Sequence, residues 1–312
     1  MHLEKILHTK YPIIQGGMAW IADGAFAASV SNNGAMGLIA TGGRTIDEIR
    51  KEIEICKSLT DKPFGLNVLM LHWEVEAISD LVVEYNIPFV TTGAGNPGKY
   101  IKKWKENGTV VFPVVPTKAL AIRMERAGAD GVICEGTEAG GHVGELTTMV
   151  LVNEVAEAVN IPVVAAGGIC NGRSMLAAEA LGACGVQLGT ILLGSEECPI
   201  HPNYKDKLIK SKSTSVKVIG RINGLPTRVV KNQMTKDYID LEKSGASLDE
   251  LEKLTHAALG RAVREGDMER GSIMAGQVVE AITEIRPLAQ IFQELMEEYN
   301  VEKIKLCQGD RS

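Results

Sequence analysis

Aromatic side chains make up only 4% of this 312-residue chain, so its core must be built mainly from aliphatic side chains in close contact. Six cysteines are present (Cys56, Cys134, Cys170, Cys184, Cys198, Cys307), yet no two form a C-x-x-C pair. That spacing argues against a zinc site and a disulfide scaffold, and predicts reduced, buried thiols in a cytoplasmic protein. No apolar run is long enough to span a bilayer, and "MHLEKILHTKYPII" lacks the parts of a secretory signal. A formal net charge of −6 argues against nucleic acid as the general partner. No dinucleotide fingerprint with a ribose-reading acid occurs either.

What is abundant is glycine, 33 residues of it, set at the ends of short apolar segments. Eight such segments follow one another: "PIIQGG", "AMGLIATGG", "FGLNVLM", "PFVTTGAG", "TVVFPVV", "GVICEGTEAGG", "PVVAAGG" and "GVQLGTILL". Helical stretches separate them, among them "TIDEIRKEIEICKSL", "PTKALAIRMERAG" and "TMVLVNEVAEAV", the last with Val150, Val152, Val155 and Val159 at roughly helical spacing. Continuous apolar strands suit a parallel sheet covered by helices. Eight βα units predict a TIM-like (β/α)₈ barrel, with an open doubly wound sheet as the other arrangement of such units. After about residue 199 the spacing breaks down. Between Lys205 and Lys236 nine Lys or Arg stand against one acid, Asp206, a local balance of +8. The expected organisation is a barrel over 1–199, a smaller basic lid domain over 200–270, and a return to the barrel over 271–312.

Chemistry is expected where strands end in glycine. Gly167 and Gly168 follow the seventh strand, and Gly189 with Thr190 follows the eighth. Barrels bind phosphate there through backbone N–H groups and a short helix start; tight turns against helices are the plainer alternative. Gly17, Met18 and Ala19 follow the first strand, where a flat ring can lie against backbone, or Met18 can simply fill the core. Asn67 is an amide inside an apolar strand, which requires partners, whether backbone groups or a heterocycle's polar edge. His142, flanked by glycines in "EGTEAGGHVGELTT", is free to reach into a cleft.

Taken in order, "YPIIQGGMAW", "DKPFGLNVLM", "TTGAGNP", "EAGGHVGELTTM", "IPVVAAGGI", "VQLGT", "HPNYK" and "GSIMAGQ" resemble the FMN-dependent trans-2-enoyl-acyl-carrier-protein reductases. Those enzymes share a flavoprotein superfamily with the nitronate monooxygenases. The resemblance runs from Tyr11 to Gln277; "HPNYK" and "KPFGLNVLM" point to the reductase type. Ala35 and Ala40 depart from it, standing where more glycine is expected. The resemblance implies FMN, with its phosphate near Gly167, Gly168, Gly189 and Thr190. Gly17, Met18, Ala19, Asn67, Thr92, Glu135, Gly140 and Gln187 would lie around the flavin, with Met274 and Gln277 from the C-terminal return. His142 becomes the candidate catalytic residue, orienting or polarising the substrate or supplying a proton; stacking beside the flavin or tying down its loop is the alternative. Glu135 is read as a ring-side partner or loop anchor, and His201 as a lid residue or a helix start. NADH or NADPH would be the reductant, an enoyl-acyl-carrier protein the partner drawn by the basic stretch, and a homodimer the assembly. Nitronate oxidation on the same flavin, a flavin-free phosphate-binding barrel and a passive flavin binder are the rivals.

Overall fold

In the computed structural model, which describes residues 1–222 and 224–308, all eight apolar segments form barrel strands. They are β1 (Ile13–Gln15), β2 (Gly37–Ala40), β3 (Phe64–Leu69), β4 (Phe89–Gly93), β5 (Val110–Val115), β6 (Val132–Glu135), β8 (Val163–Ala166) and β9 (Gly185–Leu188). The sheet order is β1-β9-β8-β6-β5-β4-β3-β2, and every pair is parallel. Its two edges meet at the bridge between Ile14 and Met36, where Gln15 N–H donates to Met36 O at 2.9 Å. The sheet is therefore a barrel, and the doubly wound alternative falls away.

Both faces of the strands are buried, which is why their sequences do not alternate. Ile14, Leu38, Phe89, Phe112, Ile133 and Val164 fill the lumen, and the short helix Leu3–Leu7 closes its lower end. Residues of the opposite parity, such as Ile13, Ile39, Val90 and Val186, pack against the helices. The helix Ile46–Leu59 shows how: Thr45 and Glu48 form a capping box at its start, and Ile49, Ile53 and Cys56 make one buried face. Truncating Ile53 to alanine there would cost about 2–5 kcal/mol. In helix Thr148–Ala156 the buried residues are Thr148, Leu151, Val152 and Val155, whereas Val150 is 45% exposed. Val150 is thus a surface residue; the i, i+4 pair Leu151 and Val155 makes the contact. Of the cysteines, Cys56, Cys134, Cys184 and Cys198 are buried and Cys170 partly so, but Cys307 is exposed. The cysteine lies near the end of the last helix, beyond the residues that pack on the barrel.

Beyond the barrel, helix Pro202–Ile209 leads to β10 (Val216–Ile219) and β11 (Thr227–Val230). These form a small antiparallel sheet ordered β10-β11-β7, whose third member, β7 (Gly141–His142), comes from the barrel loop after β6. Ile219, Val229, Met234, Tyr238 and Leu251 give this sheet its own core. The chain then crosses back over the barrel mouth. It ends in helix Leu288–Gln308, which lies on helix Gly172–Ala180; a Cβ on Gly172 would strike the backbone of Glu298 and Tyr299. Among the described residues no helix is long and apolar enough to cross a membrane.

Candidate active site

The C-terminal ends of the barrel strands carry an unusual concentration of polar side chains for so apolar a lumen. Strand register sets three lumenal residues on one level: Glu135 faces Ala166, and Ala166 faces Gln187. The small Ala166 leaves room between the carboxyl and the amide. Gln187 Oε1 is buried with no hydrogen-bond partner among the described residues. Glu135 makes no side-chain hydrogen bond among the described residues, and burial pushes its carboxyl up to about 7 from 4.5. Unsatisfied buried polar groups cost folding free energy, so their presence here marks a place built for something that binds.

Across the lumen, Asn67 donates through Nδ2 to Thr91 Oγ1 at 2.9 Å. The Asn67 side chain occupies the space that a Cβ on Gly17 would need, which is why glycine stands there. Met18 approaches the open side of Gly189, its Sδ 4.0 Å from where a Cβ would be, and Ala19 packs over Gly42. Thr92 does not belong to this group. Strand alternation puts it on the side of β4 opposite Thr91, with Val90, and it is buried there. The β4 residue that meets Asn67 is Thr91, the neighbour of opposite parity.

Gly167 and Gly168 adopt left-handed conformations, with φ of 90° and 75°, which only glycine takes without strain. Neither their N–H groups nor that of Gly189 find an acceptor among the described residues. Thr190 opens a short 3₁₀ helix, Thr190–Gly194. Its hydroxyl accepts from Gly276 N–H at 2.8 Å, tying the C-terminal return to the eighth βα loop. Gln277 N–H donates to Glu138 O at 2.9 Å. Gly140 lies so close beneath this return that a Cβ would stand 2.6 Å from the Ala275 carbonyl carbon. Met274 bridges to Val229, and its Sδ is 3.4 Å from the Cβ position of Gly141. Glu138 holds the loop from below, its carboxylate accepting from Thr148 N–H at 2.9 Å and from Thr148 Oγ1 at 3.0 Å.

His142 reaches the mouth because β7 pairs with β11, His142 opposite Thr227 and Gly141 opposite Arg228. The imidazole keeps an exposed edge, yet the surrounding walls desolvate it enough to hold its pKa below the ordinary histidine value. Arg228 is a residue the sequence reading passed over. Buried to 5% exposure, it donates from Nη1 to the carbonyls of Thr137 and Ala139 and so clamps the loop that leads to His142. The signal was there: one charge inside the short apolar run "TRVV". Trp20, which follows Met18 and Ala19 at the same face, holds a left-handed φ of 65°, with Arg264 stacked on its ring at 4.5 Å. His201 caps helix Pro202–Ile209, its Nδ1 accepting from Asn203 N–H at 3.1 Å, which is a helix-start role.

Free glycine amides at one end, and a carboxyl and an amide without partners at the other, fit a ligand with a phosphate and a polar heterocycle. The nitronate monooxygenase family model matches residues 1–81 and 74–298. FabK from Thermotoga maritima superposes with a TM-score of 0.95, is 44% identical, and covers 98% of either chain. A probable nitronate monooxygenase of Staphylococcus saprophyticus is 33% identical over 87% of this chain and 90% of its own. An octahydroindene-carboxyl-CoA dehydrogenase of Rhodococcus jostii is 33% identical over 78% of this chain and 68% of its own. The chain belongs to the nitronate monooxygenase family of flavin-dependent oxidoreductases.

Proposed function

We propose that this protein reduces the C=C bond of trans-2-enoyl thioesters carried on acyl carrier protein, with FMN in the barrel mouth and NADH or NADPH as reductant. The observation that carries the reading is the likeness to FabK over 98% of both chains, joined to the reductase-type motifs "HPNYK" and "KPFGLNVLM". FMN when bound supplies hydride transfer, which no protein side chain can provide. The chain's own residues do the rest. Gly167, Gly168, Gly189 and Thr190 would hold the phosphate through backbone N–H groups and a hydroxyl. Gln187, Asn67 and Glu135 would meet the polar edges of the ring, ending the isolation of the buried Oε1 and carboxyl. His142, neutral at pH 7 because its pKa is lowered, would donate an N–H to the thioester carbonyl and orient the substrate. The small sheet and the C-terminal return would keep water from that mouth.

The basic stretch is part of the same proposal, as the approach for an acidic carrier protein. Not all of its cations are free for that: Lys205 donates to Ser195 O at 2.7 Å and Lys212 pairs with Glu280 at 3.2 Å. A second reading, oxidation of alkyl nitronates by oxygen on the same flavin, is favoured by the family model and the staphylococcal relative. Anaerobic mixing separates them. NADH or NADPH should bleach the flavin absorbance, and crotonyl thioester should restore it. Flavin that neither nucleotide bleaches, or that stays reduced with the thioester, would move the assignment to nitronate oxidation.

A further inference from the structure

Beside the barrel mouth, between the small sheet and the C-terminal return, lies a recess of about 560 Å³. Its charged lining is entirely cationic, Lys217, Arg221, Arg228 and Lys231, joined by Thr214 and Gln277. No carboxylate lines it. Of these cations, Arg221 pairs outward with Glu145, and Lys231 donates to Thr214 O at 2.8 Å. The Lys217 ammonium makes no hydrogen bond or ion pair among the described residues. Arg228 is the telling member. It is 95% buried by its 5% exposure, and only Nη1 is used, on two carbonyls. Nε and Nη2 have no partner among the described residues, and the neighbouring Glu138 is occupied by Thr148. A buried guanidinium ordinarily has a carboxylate beside it, because desolvating an unmatched charge is costly. Here the nearby carboxylate, Glu138, is taken by Thr148, and Lys217, Arg221 and Lys231 line the same recess, an arrangement that suits an anion.

The recess also has a direction. Arg228 sits opposite Gly141, one residue from His142, and Gln277 belongs to the return that covers Gly140. An anion seated here would be joined to a group reacting at the mouth. Guanidinium and ammonium groups together suit phosphate, whose oxygens take several donors at once. We infer that this recess binds the phosphate ester of the reactant whose other end reaches the barrel mouth beside His142. The inference rests on the proposed enoyl reduction, where two reactants carry such a phosphate. One is the thioester, on its phosphopantetheine arm or coenzyme A; the other is the nicotinamide nucleotide, with its diphosphate.

The test uses the holoenzyme and a Lys217→Ala/Lys231→Ala variant, since neither side chain is part of the core. Inorganic pyrophosphate should bind the wild type at low salt by calorimetry, and roughly tenfold more weakly the variant. In turnover, KM for a phosphate-bearing reactant should rise about tenfold, while kcat and KM for crotonyl-N-acetylcysteamine, a thioester without phosphate, hold. A rise for NADH and NADPH assigns the recess to the reductant; a rise for crotonyl-CoA assigns it to the thioester arm. Equal pyrophosphate binding by both proteins, or none by either, overturns the inference. Pyrophosphate bound in the recess by a protein that reduces no enoyl thioester would sink the proposed reaction and leave the phosphate site standing.

Discussion

The side-chain amide of Asn67 occupies the place where Gly17 would carry a Cβ, so a residue of the third strand fixes the identity of one after the first. Asn67 is itself held by Thr91, at 2.9 Å. The three residues make one polar wall of the mouth, and any side chain at position 17 breaks it. Gly17→Ala should therefore destabilise the fold by about 1–3 kcal/mol through overpacking and lower the flavin bound per chain. Asn67→Ala in the same chain should restore part of the stability but not the flavin. Urea unfolding and the ratio of flavin to protein absorbance read both.

Glu135 makes the flavin-free protein sensitive to pH. Its carboxyl is raised by burial from 4.5 to about 7, so the neutral form is the one the fold favours. Its contribution is fully present below the ordinary value and is lost as pH rises through about 7, an effect of roughly 3 kcal/mol at most. Glu135→Gln should thus be more stable than wild type at about pH 8 and nearly equal at about pH 4. Parallel unfolding curves at both pH values would show that the carboxyl is solvated.

Arg228 connects the small sheet to the loop carrying His142. Replacing it with alanine leaves the Thr137 and Ala139 carbonyls without their charged donor. A loss of about 2–3 kcal/mol follows, and Arg228→Lys should recover part of it. Turnover should fall further than stability explains, because His142 loses its support. Unchanged denaturant midpoints in Arg228→Ala would contradict the clamp.

His142→Ala should retain flavin and lose about a hundredfold or more in enoyl reduction. Because desolvation lowers the imidazole pKa, the neutral ring prevails at and above the ordinary histidine value. Wild-type kcat should accordingly be flat near neutrality and decline only on the acid side, and the variant should lack that acid limb. Full turnover by the variant would remove His142 from the reaction.

Carrier docking predicts an effect confined to carrier-linked substrate. Lys210→Glu should raise KM for crotonyl-acyl-carrier protein at low salt, leave crotonyl-CoA unchanged, and converge on wild type at high salt. Identical KM values at low salt would end the docking proposal.

Much of this molecule is local in origin and therefore readable along the chain. Eight strand–helix units, the capping box at Thr45 and Glu48, and the left-handed glycines at 167 and 168 each depend on neighbours a few residues away. The sequence by itself determined the eight strand–helix units, the glycine-rich mouth and the family motifs, whereas the strand order that closes the sheet into a barrel came from the tertiary structure. Tertiary structure alone decided which parity of each strand faces the lumen, so that Thr91 rather than Thr92 holds Asn67. It also decided that two residues of a barrel loop join a sheet built far down the chain, bringing Arg228 to Ala139 across 89 positions. Those contacts come from closing a long loop onto a packed surface, and local periodicity carries no record of such a pairing.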